Sequence, residues 1–229
     1  DLDGPVARVV LDHPPLNIFD LVMRDELIGV LEAVREIDEV RVMILAAEGR
    51  HFSAGADLSE FGSAPSIFEA RRIRWERDPW ALLWDMPVPT IAALHGVAVG
   101  SGLEMALLCD LRVAGPTTRL GLPETKLGML PAAGGTQSLT KAVGPHEAVP
   151  VVALADEIEP ERALARGIVS VVDDDPDREA GAIADQLAGL DPAAVRAMKR
   201  CLRAAVDLPI DAGLAVERRL ARPLGRPRP

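Results

Sequence analysis

The sequence predicts an α/β fold followed by a helical C-terminal region. Short β-rich runs alternate with segments of helical periodicity as far as Val143, in the repeated order strand, turn, helix. After His146 the chain is predicted to be mostly helical. Its 229 residues, 48% of them hydrophobic, are enough to bury an extensive core. Because no fixed-period repeat and no Gly- or Ser-rich linker divides the chain, we expect one large domain with a helical appendage.

The first half supplies the strands. The β-rich residues 5–11 predict the first strand, which ends at a His13-Pro14-Pro15 turn. Residues 40–46 and 88–94 predict two further buried strands. Between the first two strands, Asp20 is expected to cap a helix whose apolar positions recur at helical spacing, namely Leu27, Val30, Leu31, Val34 and Ile37.

Further helices are predicted on both sides of the central segment. Residues 65–85 predict a helix that is broken at Asp78-Pro79, where the aspartate caps a new helix and the proline takes its first position. A short strand is predicted at 168–172. Three helices then follow, at 177–190, 192–206 and 210–220.

Composition excludes several classes of partner and location. A formal charge of −10 disfavours nucleic acid and anionic membranes as partners. The weakly polar run 90–109 contains His95 and Glu104, so we do not expect a membrane span. Cys109 and Cys201 lie far apart, which favours reduced thiols, and no N-terminal stretch has the pattern of a signal peptide. We therefore expect a cytoplasmic protein.

Three familiar kinds of site do not fit the sequence. The Gly100-Ser101-Gly102 turn is close to the dinucleotide motif G-x-G-x-x-G/A, but the alanine comes one position too late, which disfavours a nicotinamide dehydrogenase. Neither Ser53 nor Ser101 lies in the G-x-S-x-G motif of serine hydrolases. The four histidines lack metal-ligand spacing, so no metal site is predicted.

The same turn does fit a site for a developing oxyanion. Backbone amides at a helix start, such as that of Ser101, can stabilise negative charge on a carbonyl oxygen. A second amide would have to come from another turn of small residues, and Ala56 in the loop at 54–57 is the available one. Taken singly, Glu104 is better explained as a capping acid and Glu124 as a solvated loop acid.

Three segments resemble the signature segments of the crotonase, or enoyl-CoA hydratase/isomerase, superfamily. They read SAGADL at 53–58, HGVAVGSGLEMALLCD at 95–110 and LPETKLGMLPAAGGTQ at 122–137. They occur in the order and separation of that family, and the similarity covers roughly residues 5–218.

The resemblance implies a crotonase-type spiral of ββα units over residues 1–172, with a CoA-thioester site. It implies that the helical region over 173–229 serves oligomerisation, giving a homotrimer or hexamer. The expected partner is an acyl-CoA thioester, in which coenzyme A is part of the substrate rather than a cofactor. No metal or redox cofactor is expected.

The resemblance also assigns roles to residues. The oxyanion hole would be formed by the backbone amides of Ala56 and Ser101, and the catalytic acids would be Glu104 and Glu124. The family commonly has glycine where Ser101 stands, so this turn carries an additional side chain. Coenzyme A is expected to contact the loop residues Ala54, Ala56, Asp57 and Leu58.

Retention of both acids favours a hydratase that adds water across the double bond of a trans-2-enoyl-CoA. Such a hydro-lyase needs a base for the water and an acid for the α-carbon, and two carboxyl groups can fill both needs. We assign Glu104 to the water and Glu124 to the α-proton. The alternatives are an enoyl-CoA isomerase or another CoA-thioester lyase on the same fold and, more remotely, a non-catalytic CoA-binding protein.

Overall fold

The computed structural model describes residues 1–60, 66 and 78–225. Within them the strands are β1 (Leu2–Asp3), β2 (Val6–Leu11), β3 (Val42–Ala47), β4 (Thr90–Leu94), β5 (Val97–Val99), β6 (Leu111–Ala114), β7 (Arg119–Gly121) and β8 (Val171–Val172). The helices are α1 (Leu21–Glu36), α2 (Pro79–Trp84), α3 (Ser101–Leu108), α4 (Gly135–Val143), α5 (Pro145–Ala153), α6 (Pro160–Ala165), α7 (Pro176–Ala188), α8 (Pro192–Asp207) and α9 (Ile210–Ala221).

The strands form two sheets. Six strands make the larger sheet in the order β1-β2-β3-β4-β6-β8, in which only the β1-β2 pair is antiparallel. β5 and β7 pair in parallel in a separate two-stranded sheet. From β4 to β7 the strands alternate between the sheets, β4 and β6 in the larger and β5 and β7 in the smaller, and a helix follows β5. The sequence pattern predicted the order strand, turn, helix, and the strand, strand, helix unit is the one that the resemblance to the crotonase superfamily implied.

The larger sheet is covered on both faces, which explains its apolar strands. Every residue of β3 is buried. Val42, Ile44 and Ala46 face one cluster, to which α7 contributes Ala180, Ala184 and Ala188. Met43 and Leu45 face the other cluster, which includes residues of α1 and α3. Parallel strands buried on both faces are expected to be continuously hydrophobic.

The predicted caps are confirmed. The Asp20 carboxylate accepts a hydrogen bond of 2.8 Å from the Met23 amide at the start of α1. The Asp78 carboxylate accepts from the Trp80 amide at 3.0 Å, with Pro79 at the first position of α2. Such caps satisfy amides that have no partner inside the helix.

Some predicted elements are shorter, or less buried, in the structure than the sequence indicated. The strand expected at 168–172 is reduced to Val171–Val172. Val30, assigned to the apolar stripe of α1, is exposed, while its neighbours Leu27, Leu31 and Val34 are buried. Apart from residue 66, the part of the expected helix from 65 to 77 lies outside the described residues. No helix in the described part of the chain is long and apolar enough to cross a membrane.

A buried lysine fixes α8 to the core. Lys199 is 4% exposed, and its ammonium lies 2.6 Å from the Asp110 carboxylate and donates to the Val88 carbonyl at 2.6 Å. Arg203 packs over the Trp84 ring at 4.4 Å and donates to the Trp84 carbonyl. The residues of α8 thereby contact α2 and the end of α3, the helix that carries Glu104.

We expect Lys199→Ala to lower the free energy of unfolding substantially, because the Asp110 carboxylate and the Val88 carbonyl lose a shared partner. Breaking a buried pair costs roughly 3–5 kcal/mol, and the 27% exposure of the Asp110 side chain places this case toward the low end. Urea unfolding measures the loss. Lys141→Ala, which removes the more exposed ion pair with Asp207, is the matched control and should cost about 1 kcal/mol or less. Equal losses in the two variants would contradict this account of Lys199.

Candidate active site

The site begins at the turn that leads from β5 into α3. Gly100 precedes the helix with a φ of +54°, a conformation that favours glycine, and its amide donates to the Gly121 carbonyl of β7 at 3.0 Å. Ser101 is the first residue of α3. Its amide therefore has no partner within the helix and points out of the helix N-terminus.

The loop at 54–57 lies directly against this turn. Ser53 pairs with β5, since its amide donates to the Val97 carbonyl at 2.9 Å and its carbonyl accepts from the Val99 amide at 3.1 Å. Gly55 follows with a φ of +98°. A β-carbon built on Gly55 would lie 3.2 Å from the Val99 carbonyl oxygen and 3.7 Å from the Ser101 amide nitrogen. The loop at 54–57 and the Gly100 turn, which were predicted to supply the two amides of one oxyanion site, are thus in contact. They are separated by more than 40 residues in the sequence.

The hydrogen bonds of the loop leave the Ala56 amide without a protein partner. The Gly55 amide donates to the Ser53 hydroxyl at 3.1 Å, and the Asp57 amide donates to the Phe19 carbonyl at 3.2 Å. The Ala56 amide, between them, donates to no group among the described residues. Ala56 and Ser101 are both partly exposed.

Glu104 is buried in α3 and is held by two backbone amides. Glu104 is only 1% exposed. Its Oε1 accepts hydrogen bonds from the Ala133 amide at 2.9 Å and from the Gly135 amide at 2.8 Å. Gly135 begins α4, so the carboxylate lies at a helix N-terminus, where negative charge is stabilised. A β-carbon on Gly135 would come within 2.9 Å of Glu104 Oε1, so the close approach requires glycine.

Burial raises the pKa of Glu104 to about 7. The charge of Glu124 contributes to this rise in pKa, whereas the hydrogen bonds from the Gly135 and Ala133 amides and from the Ser101 side chain limit it. A carboxyl group with this pKa can exist in either protonation state near neutral pH, which suits acid and base catalysis.

Glu124 lies against the Gly100 turn. It belongs to a 3-10 turn, Pro123–Leu127, where the sequence had indicated a loop. A β-carbon on Gly100 would lie 3.1 Å from Glu124 Oε1, and the other carboxylate oxygen, Oε2, is buried and has no hydrogen-bond partner among the described residues. Burial raises the pKa of Glu124 as well. An unpartnered buried carboxylate oxygen is costly and is typical of functional sites.

The four residues predicted as catalytic or oxyanion-binding therefore surround one place. The Ser101 amide and the neighbouring Ala56 loop offer donors to an oxygen. The Glu124 carboxyl group lies against the Gly100 turn, and the Glu104 carboxyl group interacts with Glu124 and with the Ser101 side chain. Of the predicted CoA contacts, Ala54 is partly buried, whereas Leu58 is exposed at the end of the loop.

The sequence reading missed the amides of Ala133 and Gly135, which hold Glu104. The sequence feature that could have predicted this contact is the pair Gly134-Gly135 directly before a helical segment, because two glycines at a helix start allow close approach of another group. It also assigned no role to Asn17, whose side chain is buried and hydrogen-bonded.

A protein-family model described as enoyl-CoA hydratase/isomerase matches residues 2–225. The chain belongs to the enoyl-CoA hydratase/isomerase family. The family relative 2,3-dehydroadipyl-CoA hydratase of Escherichia coli K12 is 38% identical over 221 residues, which cover 96% of this chain and 83% of that protein.

Solved structures of the family agree with the fold. The enoyl-CoA hydratase of Bacillus anthracis superposes with a TM-score of 0.90 at 30% identity, covering 97% of this chain and 88% of that one. Pseudomonas aeruginosa DspI superposes with a TM-score of 0.92 at 31% identity, covering all of this chain and 88% of that one.

These matches confirm the crotonase-type α/β fold and the prediction of an enzyme of the hydro-lyase type. The division into residues 1–172 and 173–229 stays a prediction.

The two cysteines are free, and Cys109 is buried.

Glu104→Gln should stabilise the protein at alkaline pH. A pKa raised from 4.5 to about 7 means that the folded state disfavours the ionised carboxylate. Stability from this group is therefore present below pH 4.5 and is lost as the pH rises through 7. Between pH 5 and pH 8 the free energy of unfolding of the wild type should fall by roughly 2–3 kcal/mol relative to that of the glutamine variant.

Urea unfolding of both proteins at the two pH values measures this difference. Glu161→Gln, at an exposed acid of α6, is the control and should follow the wild type. A difference between wild type and Glu104→Gln that stays constant from pH 5 to pH 8 would contradict a raised pKa for Glu104.

Proposed function

We propose that this protein hydrates a trans-2-enoyl-CoA to a 3-hydroxyacyl-CoA. One observation carries the proposal: the Glu124 carboxyl group lies against the Gly100 turn, and the buried Glu104 carboxyl group interacts with both Glu124 and the side chain of Ser101, the first residue after that turn. Two acids with raised pKa values beside potential oxyanion donors suit the addition of water to a conjugated thioester.

In the proposed reaction, the amides of Ala56 and Ser101 bind the thioester carbonyl oxygen. They stabilise the negative charge that this oxygen gains when an enolate forms. Removal of one such donor commonly lowers kcat by about 10²–10³-fold. The start of α3 adds its partial positive charge at the same place.

The two acids divide the proton transfers. The ionised Glu104 accepts a proton from water while the water oxygen bonds to the β-carbon of the substrate. The protonated Glu124 donates its proton to the α-carbon, and the carbonyl re-forms. One proton has then been gained by Glu104 and one lost by Glu124, so a transfer between the two groups restores the starting state. We expect the pair to titrate with shared apparent pKa values.

This chemistry uses the side chains and amides of the chain, and the proposal includes no metal or redox cofactor. We also propose that coenzyme A lies along Ala54, Ala56, Asp57 and Leu58. The loop amides run beside the oxyanion position, so a thioester whose carbonyl binds at Ala56 would extend along these residues. A cytoplasmic location remains a prediction from the two free cysteines.

The test is consumption of conjugated thioester absorbance with a panel of trans-2-enoyl-CoA substrates of different chain length. Because a relative is a 2,3-dehydroadipyl-CoA hydratase, the panel includes an enoyl-CoA with a terminal carboxylate. We expect turnover of at least one substrate. Glu104→Gln and Glu124→Gln should each lower kcat by about 10²–10⁴-fold, because each removes one proton-transfer group.

Glu161→Gln is again the control and should keep wild-type kcat. Movement of a double bond with no gain of water, or a variant of either acid that retains turnover, would favour an isomerase. Binding of coenzyme A thioesters without consumption of any of them would favour a non-catalytic binding protein and would overturn the hydratase proposal.

We further propose that the helices after residue 173 join copies of the chain into a homotrimer or hexamer. Support comes from apolar side chains that the monomer leaves exposed on α8 and α9. They include Leu202, Val206 and Ile210, the last of which is 79% exposed. Among the described residues, α9 makes its main contacts with α8, and these apolar side chains stay exposed.

Sedimentation velocity of the wild type should give the mass of three or six chains. The double variant Leu202→Lys and Ile210→Lys should shift the distribution toward the monomer, because two buried charges would be unpaired in the interface. Glu161→Lys places a new lysine on α6 as a control and should leave the mass unchanged. A monomeric wild type would contradict the proposal.

A further inference from the structure

Asn17 is a buried polar residue in an unusual backbone conformation. It is 2% exposed and has a φ of +50°, which few residues other than glycine tolerate and which asparagine adopts more readily than most. It lies in the segment between β2 and α1, far in sequence from the catalytic acids. Nothing in the proposed reaction assigns it a role.

The side chain of Asn17 closes the turn that precedes the site loop. Its amide nitrogen donates to the Glu48 carbonyl at 2.9 Å and to the His51 carbonyl at 2.8 Å. Its amide oxygen accepts from the His13 amide at 2.7 Å. Both donors and the oxygen are therefore used, and the two carbonyl acceptors fix which end of the amide is nitrogen. The arrangement holds the end of the turn two residues before Ser53.

The backbone of the same segment continues this connection into the loop. The Ser53 hydroxyl donates to the Asn17 carbonyl at 2.6 Å and accepts from the Gly55 amide at 3.1 Å. One residue earlier, the Leu16 carbonyl accepts from the Ala54 amide at 2.9 Å. The loop is therefore bonded to this segment at successive residues.

Phe19 completes the contact on the far side of Ala56. Its amide donates to the Gly55 carbonyl at 2.8 Å, and its carbonyl accepts from the Asp57 amide at 3.2 Å. Phe19 also packs against Trp80 of α2, with ring centroids 5.4 Å apart. Both peptide units that flank Ala56 are thus fixed by a segment that starts at Asn17.

A purely structural role would need only that Asn17 stabilise a turn. The hydrogen bonds indicate that Asn17 also positions the site loop, because they lead without interruption from the Asn17 carbonyl through the Ser53 hydroxyl to the Gly55 amide. Gly55 is the residue that contacts the turn carrying Ser101. A shift of this loop would move the Ala56 amide relative to the Ser101 amide, and a displacement of about 1 Å can cost roughly 10²-fold in rate.

We propose that Asn17 is a positioning residue for the oxyanion hole, which holds the Ala56 amide at the distance from the Ser101 amide that binds a thioester carbonyl. The inference rests on the proposed function, since it takes both amides as donors to that carbonyl. It concerns the polarisation of the carbonyl and is therefore separable from the proton transfers of the two acids.

The test uses Asn17→Gly, because glycine keeps the positive φ and removes only the side chain. The matched control is Thr118→Val, which removes another buried side-chain hydrogen bond, from Thr118 to the Leu94 carbonyl at 3.1 Å. The Thr118 amide donates to the Gly115 carbonyl, so these two hydrogen bonds lead away from the loop at 54–57. The probe is 4-dimethylaminocinnamoyl-CoA, a conjugated thioester whose absorbance moves to longer wavelength when its carbonyl is polarised.

We expect the wild type and Thr118→Val to shift the bound probe to the same extent and Asn17→Gly to give a smaller shift. With an enoyl-CoA substrate, kcat of Asn17→Gly should fall roughly 10–100-fold, with a much smaller change in KM. If Asn17 had only a structural role, Asn17→Gly would lower the folded fraction in urea unfolding but would leave the probe shift and the kcat of the folded enzyme unchanged. That outcome would overturn the proposal.

Ser53→Ala is the second variant, used whether or not Asn17→Gly folds. It breaks the connection between the Asn17 carbonyl and the Gly55 amide while leaving the asparagine side chain in place. A reduced probe shift supports the proposal, and an unchanged shift contradicts it. Failure of the proposed function is distinct: a wild type that shifts the probe but hydrates no substrate rejects the hydratase alone, and a wild type that gives no shift rejects the oxyanion hole itself.

Discussion

The contact between the Gly55 loop and the Gly100 turn is the constraint on which the site depends. Both glycines have positive φ angles, and a β-carbon on Gly55 would lie 3.2 Å from the Val99 carbonyl oxygen. This approach puts the amides of Ala56 and Ser101 in the same small region. The pairing of Ser53 with β5 maintains the contact, so the smaller sheet determines where the two turns meet.

The carboxyl groups depend on the same arrangement. Burial within α3 raises the pKa of Glu104, and the amides of Ala133 and Gly135 limit that rise by hydrogen bonding to Oε1. Without those amides a carboxyl group this buried would be held more strongly in its neutral form. Glu124 has one buried oxygen without a partner, and this leaves it available to a group that enters the site.

The C-terminal helices act on the site from a distance. α7 covers one face of the larger sheet, and Lys199 ties α8 to the Asp110 carboxylate just beyond the end of α3. The helix that presents Glu104 is therefore held at both ends, by the Gly100 turn at its start and by polar groups at its end. Arg112 contributes there as well, since its guanidinium donates to the Cys109 carbonyl at 2.6 Å.

The sequence by itself determined the alternation of strands and helices, the caps at Asp20 and Asp78, and three signature segments that identified the family and its two acids. These features are local, because periodicity, capping and motif spacing are set by residues near each other in the chain. Only the tertiary structure decided that strands go alternately to two sheets, that Asn17 bonds to the site loop and that the Gly135 amide holds Glu104. Each of these joins residues about 20 or more positions apart, and the partner of a buried hydrogen bond depends on how the elements pack rather than on either residue alone.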